Sequence, residues 1–405
     1  MLTPAQALKS ILQRVGPLEA ERVPLLDAVG RVLAEPVVAD RLLPAWDNSA
    51  MDGYAVRHAD LLRGGALPVV GEIAAGCTDE IPLPPGKALR IFTGAAVPPG
   101  ADTVLIQEDA QVGEAGLVAT ELPAPGANIR KAGSDVQPGQ TVIEPGRPLT
   151  PGDVGLLAAL GRSQVTVVRR PVVAIVSTGD ELRPIDAAEL ARGQIRNSNA
   201  WMLAAAVKAL GGVPRIVPVV PDDRDAVDQA LFHATRADAL LTTGGVSVGD
   251  HDHVGHALRE LAGPDFAFWK VAIKPGKPLL FCTVGHCAVF GLPGNPVSAG
   301  VTFELFARPA LLRLMGHTRV VRRAVPAVLD APLPGAKGRQ IYARATLREV
   351  DGALHVDPSR TQSSGALSSL AAADCLVITP PNTPAKGAGE AVQVLRLDVD
   401  DRVAP

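Results

Sequence analysis

The feature that most restricts the fold is an alternation of short apolar runs with helical patterns between residues 171 and 310. The β-type runs lie at 172–178, 215–221, 239–243, 279–282 and 288–291, and the helical patterns at 199–210, 225–235, 254–261 and 297–307. Repeated β–α units favour a largely parallel, doubly wound sheet with helices on both faces. Because ligands bind such sheets outside the carboxyl ends of the strands, we expect a functional site in the loops at those ends.

One of these loops, residues 242–253 (TTGGVSVGDHDH), is rich in groups that bind ligands. Gly244 and Gly245 have no Cβ, so the backbone can turn sharply and approach a ligand closely. Free N–H groups in the loop and at the start of the next helix favour an anion, and Asp250 and Asp252 beside it suggest a metal between them. The loop alone fits equally well a plain strand-to-helix turn whose aspartate caps the helix.

Three more segments bring polar groups to the same predicted edge: STGDEL at 177–182, KPGKP at 274–278 and GLPGNPVS at 291–298. Their hydroxyls, lysines and carboxylates suit an anionic, phosphate-bearing substrate together with a divalent cation. The chain has no Walker A motif and no Ser-His-Asp pattern, so nucleophilic catalysis is not indicated. Taken singly, each segment also fits a helix cap, a solvated turn or a packed serine.

Caps and prolines mark the predicted helix boundaries. The N-terminal pattern predicts a helix over 3–15, and residues 25–33 indicate a second short helix. Asn295 is a natural N-cap for the helix at 297–307, which we expect to end at Pro309.

The first and last thirds of the chain have a different pattern. Proline and glycine (36 and 40 residues in all) are frequent in the first third, where short β-type runs indicate a small β domain. After residue 316 the pattern is all-β, and Asp351-Gly352 between two strand patterns marks a hairpin. This last part fits a small barrel or sandwich.

Composition excludes several classes of protein. The net charge is −3 with no long run of Lys or Arg, so there is no electrostatic footprint for nucleic acid. No apolar run reaches the ~18 residues of a membrane helix, and the first ten residues lack the core of a signal peptide. The four cysteines have no CxxC spacing and predict reduced thiols in a cytoplasmic protein. Cys282 and Cys287 flank His286, but their setting favours a hairpin over a metal site.

The motifs taken together resemble a known family. STGDEL, TTGGVSVGDHD, KPGKP and GLPGNPVS occur in an order and spacing that resemble the molybdopterin molybdenumtransferase family of molybdenum-cofactor biosynthesis, which includes the E domain of gephyrin. DNSAMDGYAV at 47–56, RIFTGAAVPPGADTVLIQED at 90–109, NIRKAGSD at 128–135 and SSGALSSLAAADCLVI at 363–378 also resemble that family. The resemblance covers nearly the whole chain.

The resemblance implies a multidomain α/β plus β fold with four domains. These would be a discontinuous, elongated linking domain (1–40 and 136–170), an inserted small β domain (41–135), a doubly wound molybdopterin-binding α/β domain (171–318) and a C-terminal β-barrel domain (319–405). It also implies a homodimer, in which the α/β domain of one subunit and the inserted domain of the other form the active cleft.

The implied reaction takes adenylylated molybdopterin and molybdate and yields molybdenum cofactor and AMP, with Mg²⁺ as the implied metal. Glu181 and Asp252 are the implied metal ligands, and Asp52, Thr93 and Asp135 would complete the catalytic set from the other subunit. Next to Gly or Ser, Asp52 and Asp135 are also typical turn residues.

The substrate-binding candidates include donors for molybdate, a tetrahedral dianion that needs cations and hydroxyls in a preorganised pocket. They are Gly244, Gly245, Ser247, Lys274, Lys277, Pro293, Asn295 and Ser298. The two lysines and two serines are the molybdate candidates, and the glycine-rich backbone would cradle the pterin or a phosphate. At three positions the chain departs from the family pattern: His253 stands where a tyrosine is frequent, and Asn197 and Ser134 stand where acidic residues are frequent.

Three other interpretations were weighed against this one. The related molybdopterin adenylyltransferases, which would supply the substrate and are possible partners, lack the inserted and barrel domains. A non-enzymatic scaffold is the second, because gephyrin's E domain also clusters receptors, yet no long linker or fused domain is visible here. A nucleotide-amide hydrolase of the competence-damage type should lack GLPGNPVS followed by a barrel.

Overall fold

The computed structural model describes residues 1–244 and 253–398. Its contacts divide the chain into two compact units, which we call the larger and the smaller unit. The larger comprises Met1–Glu35, Pro145–Pro151 and Gln164–Pro405, and the smaller comprises Pro36–Glu144 and Gly152–Ser163. The division into four domains stays a prediction. In the part of the chain that the structure describes, no helix combines the length and apolar character needed to cross a membrane.

The α-helices of these residues are, in chain order, α1 Pro4–Leu12, α2 His58–Arg63, α3 Pro151–Ala159, α4 Ser198–Leu210, α5 Arg224–Ala234, α6 His253–Ala262, α7 Pro296–Thr302, α8 Arg308–Leu314 and α9 Leu367–Ala371. Helix α1 begins with a capping box. Thr3 Oγ1 accepts a hydrogen bond from the Gln6 N–H at 3.2 Å, and Gln6 Oε1 accepts one from the Thr3 N–H at 2.9 Å.

The strands up to residue 168 are β1 Ala20–Pro24, β2 Val37–Val38, β3 Asn48–Ser49, β4 Gly53–Val56, β5 Val69–Ile73, β6 Ala88–Ile91, β7 Thr103–Ile106, β8 Ala110–Gly113, β9 Gly116–Ala119, β10 Ile129–Arg130, β11 Thr141–Ile143 and β12 Gln164–Val168. Next come β13 Val172–Ser177, β14 Leu182–Arg183, β15 Ile195–Arg196, β16 Val213–Ile216, β17 Ala239–Thr243, β18 Ala267–Lys270, β19 Ile273–Lys274, β20 Pro278–Val284 and β21 Cys287–Leu292. The last are β22 Ala324–Leu329, β23 Gln340–Val350, β24 Ala353–Asp357, β25 Cys375–Thr379 and β26 Ala391–Arg396.

The predicted doubly wound sheet is confirmed. Its strand order is β16-β13-β17-β21-β20-β18; the first four strands are parallel, and β20 and β18 add an antiparallel edge. Side chains of β13 alternate between two cores: Ile175 packs in the core that contains α4 and α7, and Val176 in the core that contains α5 and α6. Burial on both faces explains why the strand reads as a continuous apolar run.

Some boundary predictions were wrong. Residues 25–33 form a single 3₁₀ turn at Leu25–Ala28 instead of a helix, and the strand predicted at 215–221 lies at Val213–Ile216. Pro309 does not end the last helix of the α/β region, which continues to Leu314. A π-helical turn, Phe303–Ala307, precedes it, so Pro309 falls in the first turn of α8, where its missing N–H costs no hydrogen bond.

The C-terminal strands close into a barrel, as predicted. The order β23-β24-β22-β26-β25 returns to β23, and Asp351 and Gly352 form the β23–β24 turn with φ of 49° and 77°. Strand β19, which carries Lys274, pairs in parallel with β23 of the barrel. The KPGKP segment is therefore hydrogen-bonded to the barrel as well as joined to the α/β sheet. Cys282 and Cys287 lie on the β20–β21 hairpin, as predicted.

The smaller unit is built around a four-stranded sheet of order β5-β6-β4-β7. Its core includes Ala55, Leu89 and Val104, which are almost completely buried. Strand pairs β8–β9, β10–β3 and β11–β2 extend the unit. The predicted small β domain thus corresponds to real strands.

Candidate functional site

The carboxyl ends of three parallel strands meet in register at one edge of the sheet. Ser177, the last residue of β13, pairs with Thr243 of β17, which pairs with Leu292 of β21. The buried hydroxyls of Ser177 and Thr243 are hydrogen-bonded at 3.0 Å. Because the three strands end in register, the loops that follow them begin at the same edge of the sheet, as the sequence predicts.

A cleft of about 690 Å³ opens at this edge, and we call it the sheet-edge cleft. It is lined by Thr178, Glu181, Leu182, Ile195, Arg196, Asn197, Ser198, Asn199, Thr243, Gly244, Gly294, Asn295, Pro296, Gly365 and Leu367. Gly244 has φ of +85°, and a Cβ there would lie 3.0 Å from the Thr178 carbonyl oxygen. A side chain at that position would therefore push into the floor of the cleft. Pro293 is buried directly after β21.

Glu181, the predicted metal ligand, stands exposed at the rim of the cleft. Its backbone is fixed, because its carbonyl accepts a hydrogen bond from the Ile195 N–H at 2.9 Å. Its carboxylate folds back over Gly179, where a Cβ would approach Glu181 Oε2 to 2.4 Å. The acid can therefore take up this position only because residue 179 is a glycine.

Amide side chains from the start of α4 line the cleft. Asn197 is the N-cap of α4, and its Oδ1 accepts from the Ala200 N–H at 3.3 Å, which an aspartate would do equally well. Asn199 Nδ2 donates to the Gly294 carbonyl at 2.7 Å and so ties α4 to the GLPGNPVS loop. Asn295 occupies the predicted N-cap position of α7, but its side chain makes no capping bond.

A second cavity, of about 530 Å³, lies between the KPGKP segment, α7 and the barrel, and we call it the basic pocket. It is lined by Lys274, Pro275, Gly276, Lys277, Ser298, Leu333, Pro334, Arg339, Ile341, Tyr342, Ala343, Arg344, Pro358, Gln362, Ser363 and Ser364. Four of these side chains are cationic, and none of the described lining residues is acidic. A pocket with this electrostatic composition favours an anion.

The two cavities share a wall formed by residues 361–367 and the start of α7. Gln362, Ser363 and Ser364 face the basic pocket, whereas Gly365 and Leu367 face the sheet-edge cleft. The Val297 N–H donates to the Ser364 carbonyl at 3.1 Å, which joins the two parts of the wall.

In the smaller unit, Asp52 and Thr93 form one hydrogen-bonded pair. Asp52 Oδ1 accepts from the Thr93 N–H at 2.8 Å and from the Thr93 hydroxyl at 2.7 Å. The hydrogen bond from the Thr93 N–H, followed in effect by that from the Thr93 hydroxyl, holds the pKa of Asp52 below its ordinary value, so the acid is a carboxylate at neutral pH. The structure thus brings together two predicted catalytic residues 41 positions apart.

The segments that carry these residues are fastened to each other. Asp47 Oδ2 accepts from Lys131 Nζ at 2.8 Å, and Asp47 Oδ1 accepts from the Ala132 N–H at 2.8 Å. The hydrogen bond from Lys131, followed by that from Ala132, keeps the pKa of Asp47 low. Asp135 lies exposed at the end of the same NIRKAGSD segment.

The predicted site residues therefore fall into three groups and a remainder. Glu181, Gly244 and Asn295 line the sheet-edge cleft, Lys274, Lys277 and Ser298 line the basic pocket, and Asp52, Thr93 and Asp135 lie in the smaller unit. Pro293, buried after β21, is among the lining residues of neither cavity. The candidates Gly245, Ser247 and Asp252 lie outside the described residues. Among those described, no group of three or more His, Cys, Asp or Glu side chains is placed to hold a metal.

Reasoning from sequence missed Arg339 and Arg344, because strand β23 reads only as a barrel strand. The sequence signal that could have found them is the pair of arginines in GRQIYAR, which gives one short strand pattern two positive charges. Asn199 was missed because asparagine at the start of a helix is a common capping residue.

Three family models match the chain in order. They are described as MoeA N-terminal region (domain I and II), over residues 2–161, probable molybdopterin binding domain, over 174–313, and MoeA C-terminal region (domain IV), over 326–397. Together they account for most of the chain.

Full-length relatives agree. The molybdopterin molybdenumtransferase of Haemophilus influenzae is 35% identical over 399 residues, covering 97% of this chain and 98% of that protein. Molybdopterin molybdenumtransferase 2 of Mycobacterium tuberculosis is 39% identical over 387 residues, covering 93% and 94%. The solved molybdopterin biosynthesis moeA protein from Pyrococcus horikoshii OT3 is 31% identical with a TM-score of 0.83, covering 98% of this chain and 100% of that one. The multidomain fold class is thereby confirmed.

Proposed function

The chain belongs to the molybdopterin molybdenumtransferase family, and from that premise we propose how it works. As a transferase that inserts molybdenum into molybdopterin, it takes adenylylated molybdopterin and molybdate, forms molybdenum cofactor and releases AMP. The relatives are named for the transfer reaction, so the alternative of a non-enzymatic scaffold has no support.

The observation that carries the proposal is the adjacency of two unlike cavities. The sheet-edge cleft is lined mainly by amides, hydroxyls and glycine backbone, which suits a planar heterocycle with a phosphate. The basic pocket is lined by four cations and three serines, which suits a tetrahedral dianion. Because residues 361–367 border both, an organic acceptor in one cavity and molybdate in the other would be held next to each other, on the two sides of one short segment.

In this mechanism Lys274, Lys277 and Ser298 hold molybdate, while the loop at Gly244 and Asn295 cradles the pterin or a phosphate. Ser298 is 5% exposed and lines the pocket, so its hydroxyl faces a largely desolvated site. No protein nucleophile is needed: a water or a molybdate oxygen bonds to a phosphorus of the phosphoanhydride, the P–O–P bridge breaks and AMP leaves. The two molybdopterin thiols bond to molybdenum, and one molybdate oxygen takes up their protons and leaves as water. Asp52, ionised and oriented by Thr93, and Asp135 act at the same phosphates.

The residues present fit a magnesium ion whose coordination shell would be completed by the phosphates of the substrate. Glu181 offers an exposed carboxylate at the cleft, and Asp252 is the second proposed ligand. The absence of a larger acidic cluster among the described residues agrees with a metal held by one or two carboxylates. When bound, Mg²⁺ would offset the negative charge of the phosphoanhydride.

The reaction is tested directly by incubating the protein with adenylylated molybdopterin, Mg²⁺ and molybdate. We expect AMP release and a product that restores activity to a molybdenum enzyme lacking its cofactor. Absence of both would refute the proposal. If cofactor forms only from molybdopterin that is not adenylylated, the transfer stands but the substrate assignment fails.

We further propose a homodimer whose active cleft takes Asp52, Thr93 and Asp135 from the second subunit. Support comes from the family resemblance and from the separation of the candidate residues along the chain. The test is complementation: Asp52→Asn protein and Lys277→Ala protein, each inactive, are mixed and allowed to exchange subunits. Half the dimers become mixed and each regains one intact site, so about a quarter of wild-type activity should return. If exchange occurs without recovery, both residues serve a site within one subunit.

A cytoplasmic location and supply of substrate by a molybdopterin adenylyltransferase complete the proposal. The four cysteines are free thiols. Burial raises the pKa of Cys282 and of Cys375 to about 12, so these thiols are unreactive. Free, inert thiols agree with a reducing compartment.

A further inference from the structure

Arg344, on barrel strand β23, is the most completely buried charged side chain near the two cavities. It is 1% exposed, although it lines the basic pocket. Its hydrogen-bond acceptors are all neutral, and none of the ion pairs among the described residues includes it. A buried guanidinium without a carboxylate is costly to desolvate, so its presence at this position calls for a functional reason.

The guanidinium binds the wall between the cavities. Its Nη2 donates to the Thr361 carbonyl at 2.9 Å and to the Ser363 carbonyl at 3.1 Å. Its Nε donates to Ser369 Oγ of α9 at 2.9 Å. One planar group therefore fixes both ends of the turn that carries Ser364 and Gly365.

The backbone of Arg344 holds the same segment a second time. Its N–H donates to Gln362 Oε1 at 3.0 Å, and its carbonyl accepts from Gln362 Nε2 at 2.9 Å. The wall is thus joined to a rigid barrel strand by side chain and backbone together. Ser364 then carries the connection to α7 through the Val297 N–H.

We propose that Arg344 is a positioning residue of the transfer reaction, which keeps the shared wall of residues 361–367 in place for both cavities. It acts through the wall, without contacting either substrate, and its charge adds to the positive potential of the basic pocket. The inference rests on the proposed function, which assigns a nucleotide-bearing acceptor to one cavity and molybdate to the other.

The test measures both cavities at once, by calorimetric titration of the full-length protein with molybdate and, separately, with AMP. Arg344→Met removes the charge and every donor while keeping an unbranched apolar chain. We expect dissociation constants for both ligands to rise about tenfold or more, as for loss of charge-assisted hydrogen bonds.

Arg344→Lys separates charge from geometry, because lysine keeps the charge but lacks the planar fork. We expect it to recover part of the molybdate affinity, which the charge supports, and little of the AMP affinity, which depends only on the position of the wall. Two variants serve as controls. Lys274→Ala should weaken the binding of molybdate alone. Arg348 is an exposed arginine on the same strand, and Arg348→Met should change the binding of neither ligand.

An Arg344→Met protein that weakens molybdate alone would overturn the inference, since Arg344 would then serve only the basic pocket. Unchanged binding of both ligands would overturn it as well. If circular dichroism shows that Arg344→Met does not fold, Gln362→Ala is the second variant, because it loosens the same wall. It should raise the dissociation constants of both ligands about threefold, for the loss of one neutral hydrogen-bonded group. An unchanged dissociation constant for AMP would contradict the inference. These measurements need no turnover, so they fail independently of the AMP-release assay.

Discussion

The sheet-edge cleft and the basic pocket differ in how the chain builds them. The cleft is assembled from the ends of parallel strands, so its groups are backbone, amides and a glycine turn that the topology brings to one edge. The basic pocket needs the pairing of β19 with the barrel, which sets Lys274 and Lys277 opposite Arg339 and Arg344. The polar groups of the cleft follow from local loop chemistry, whereas the positive charge of the basic pocket depends on bringing cations from distant segments together.

The largest effect is expected where the charge of the basic pocket is removed. Lys274→Ala with Lys277→Ala should lower kcat/KM for molybdate by about 10⁴-fold or more, since loss of one such preorganised donor costs about 10²–10³. AMP binding should change little. The control is Lys208→Ala, an exposed lysine at the end of α4. Equal losses for molybdate and AMP would mean that the two cavities do not divide the ligands between them.

Asp52→Asn tests whether the smaller unit contributes to turnover in addition to the residues that line the two cavities. The asparagine oxygen can still accept from Thr93, so folding should be preserved while turnover falls about a hundredfold. Since the pKa of Asp52 is lowered, the wild-type group stays ionised as pH falls to its ordinary pKa near 4 and loses its charge only below that. Wild-type kcat between pH 5 and 8 should therefore show no step from Asp52; such a step would contradict the assignment.

Gly276→Ala should damage the basic pocket alone. Gly276 has φ of +94°, and a Cβ there would lie 2.5 Å from Thr302 Cγ2 of α7. We expect the free energy of unfolding in urea to drop by about 2 kcal/mol, with weaker molybdate binding. Gly285→Ala is the matched control, because φ is +59° and nothing lies within 4 Å of its Cβ position. If both variants lose equal stability, backbone conformation rather than crowding is the cause.

Asn199→Ala should weaken the sheet-edge cleft alone. Loss of the 2.7 Å bond to the Gly294 carbonyl frees the GLPGNPVS loop, and one neutral hydrogen bond corresponds to about a fivefold rise in the dissociation constant of AMP. Alanine suits the first turn of α4, so the helix should persist in circular dichroism. A change in molybdate binding of the same size would show that the loop governs both cavities.

The smallest effect concerns the barrel away from both cavities. Hydrogen bonds from Arg348, then His355, lower the pKa of Asp330 to about 2. A lowered folded-state pKa means that the stabilisation is complete above the unfolded value near 4 and is lost as pH falls from about 4 to 2. The melting-temperature gap between wild type and Asp330→Asn should be present at pH 7 and close by pH 2. A gap that persists at pH 2 would have another origin.

Sequence alone determined the elements and their family. Alternating apolar runs, the helical pattern at the N-terminus and the Asp351-Gly352 turn are local signals, because backbone hydrogen bonding and the burial of one face depend on near neighbours. The order of the motifs identified the family, and the carboxyl edge located a cleft. The helix predicted to stop at Pro309 continues because a π-helical turn before it places the proline in the first turn of α8, where it is tolerated.

Only the tertiary structure decided which predicted groups share a cavity. KPGKP and GLPGNPVS read as parts of one site, yet Asn295 faces the sheet-edge cleft and Ser298, three residues later, faces the basic pocket. Arg344 joins them from a strand 46 positions beyond Ser298. These positions result from long-range packing. Surfaces from distant parts of the chain become buried against each other, and no local sequence pattern specifies which surfaces pair.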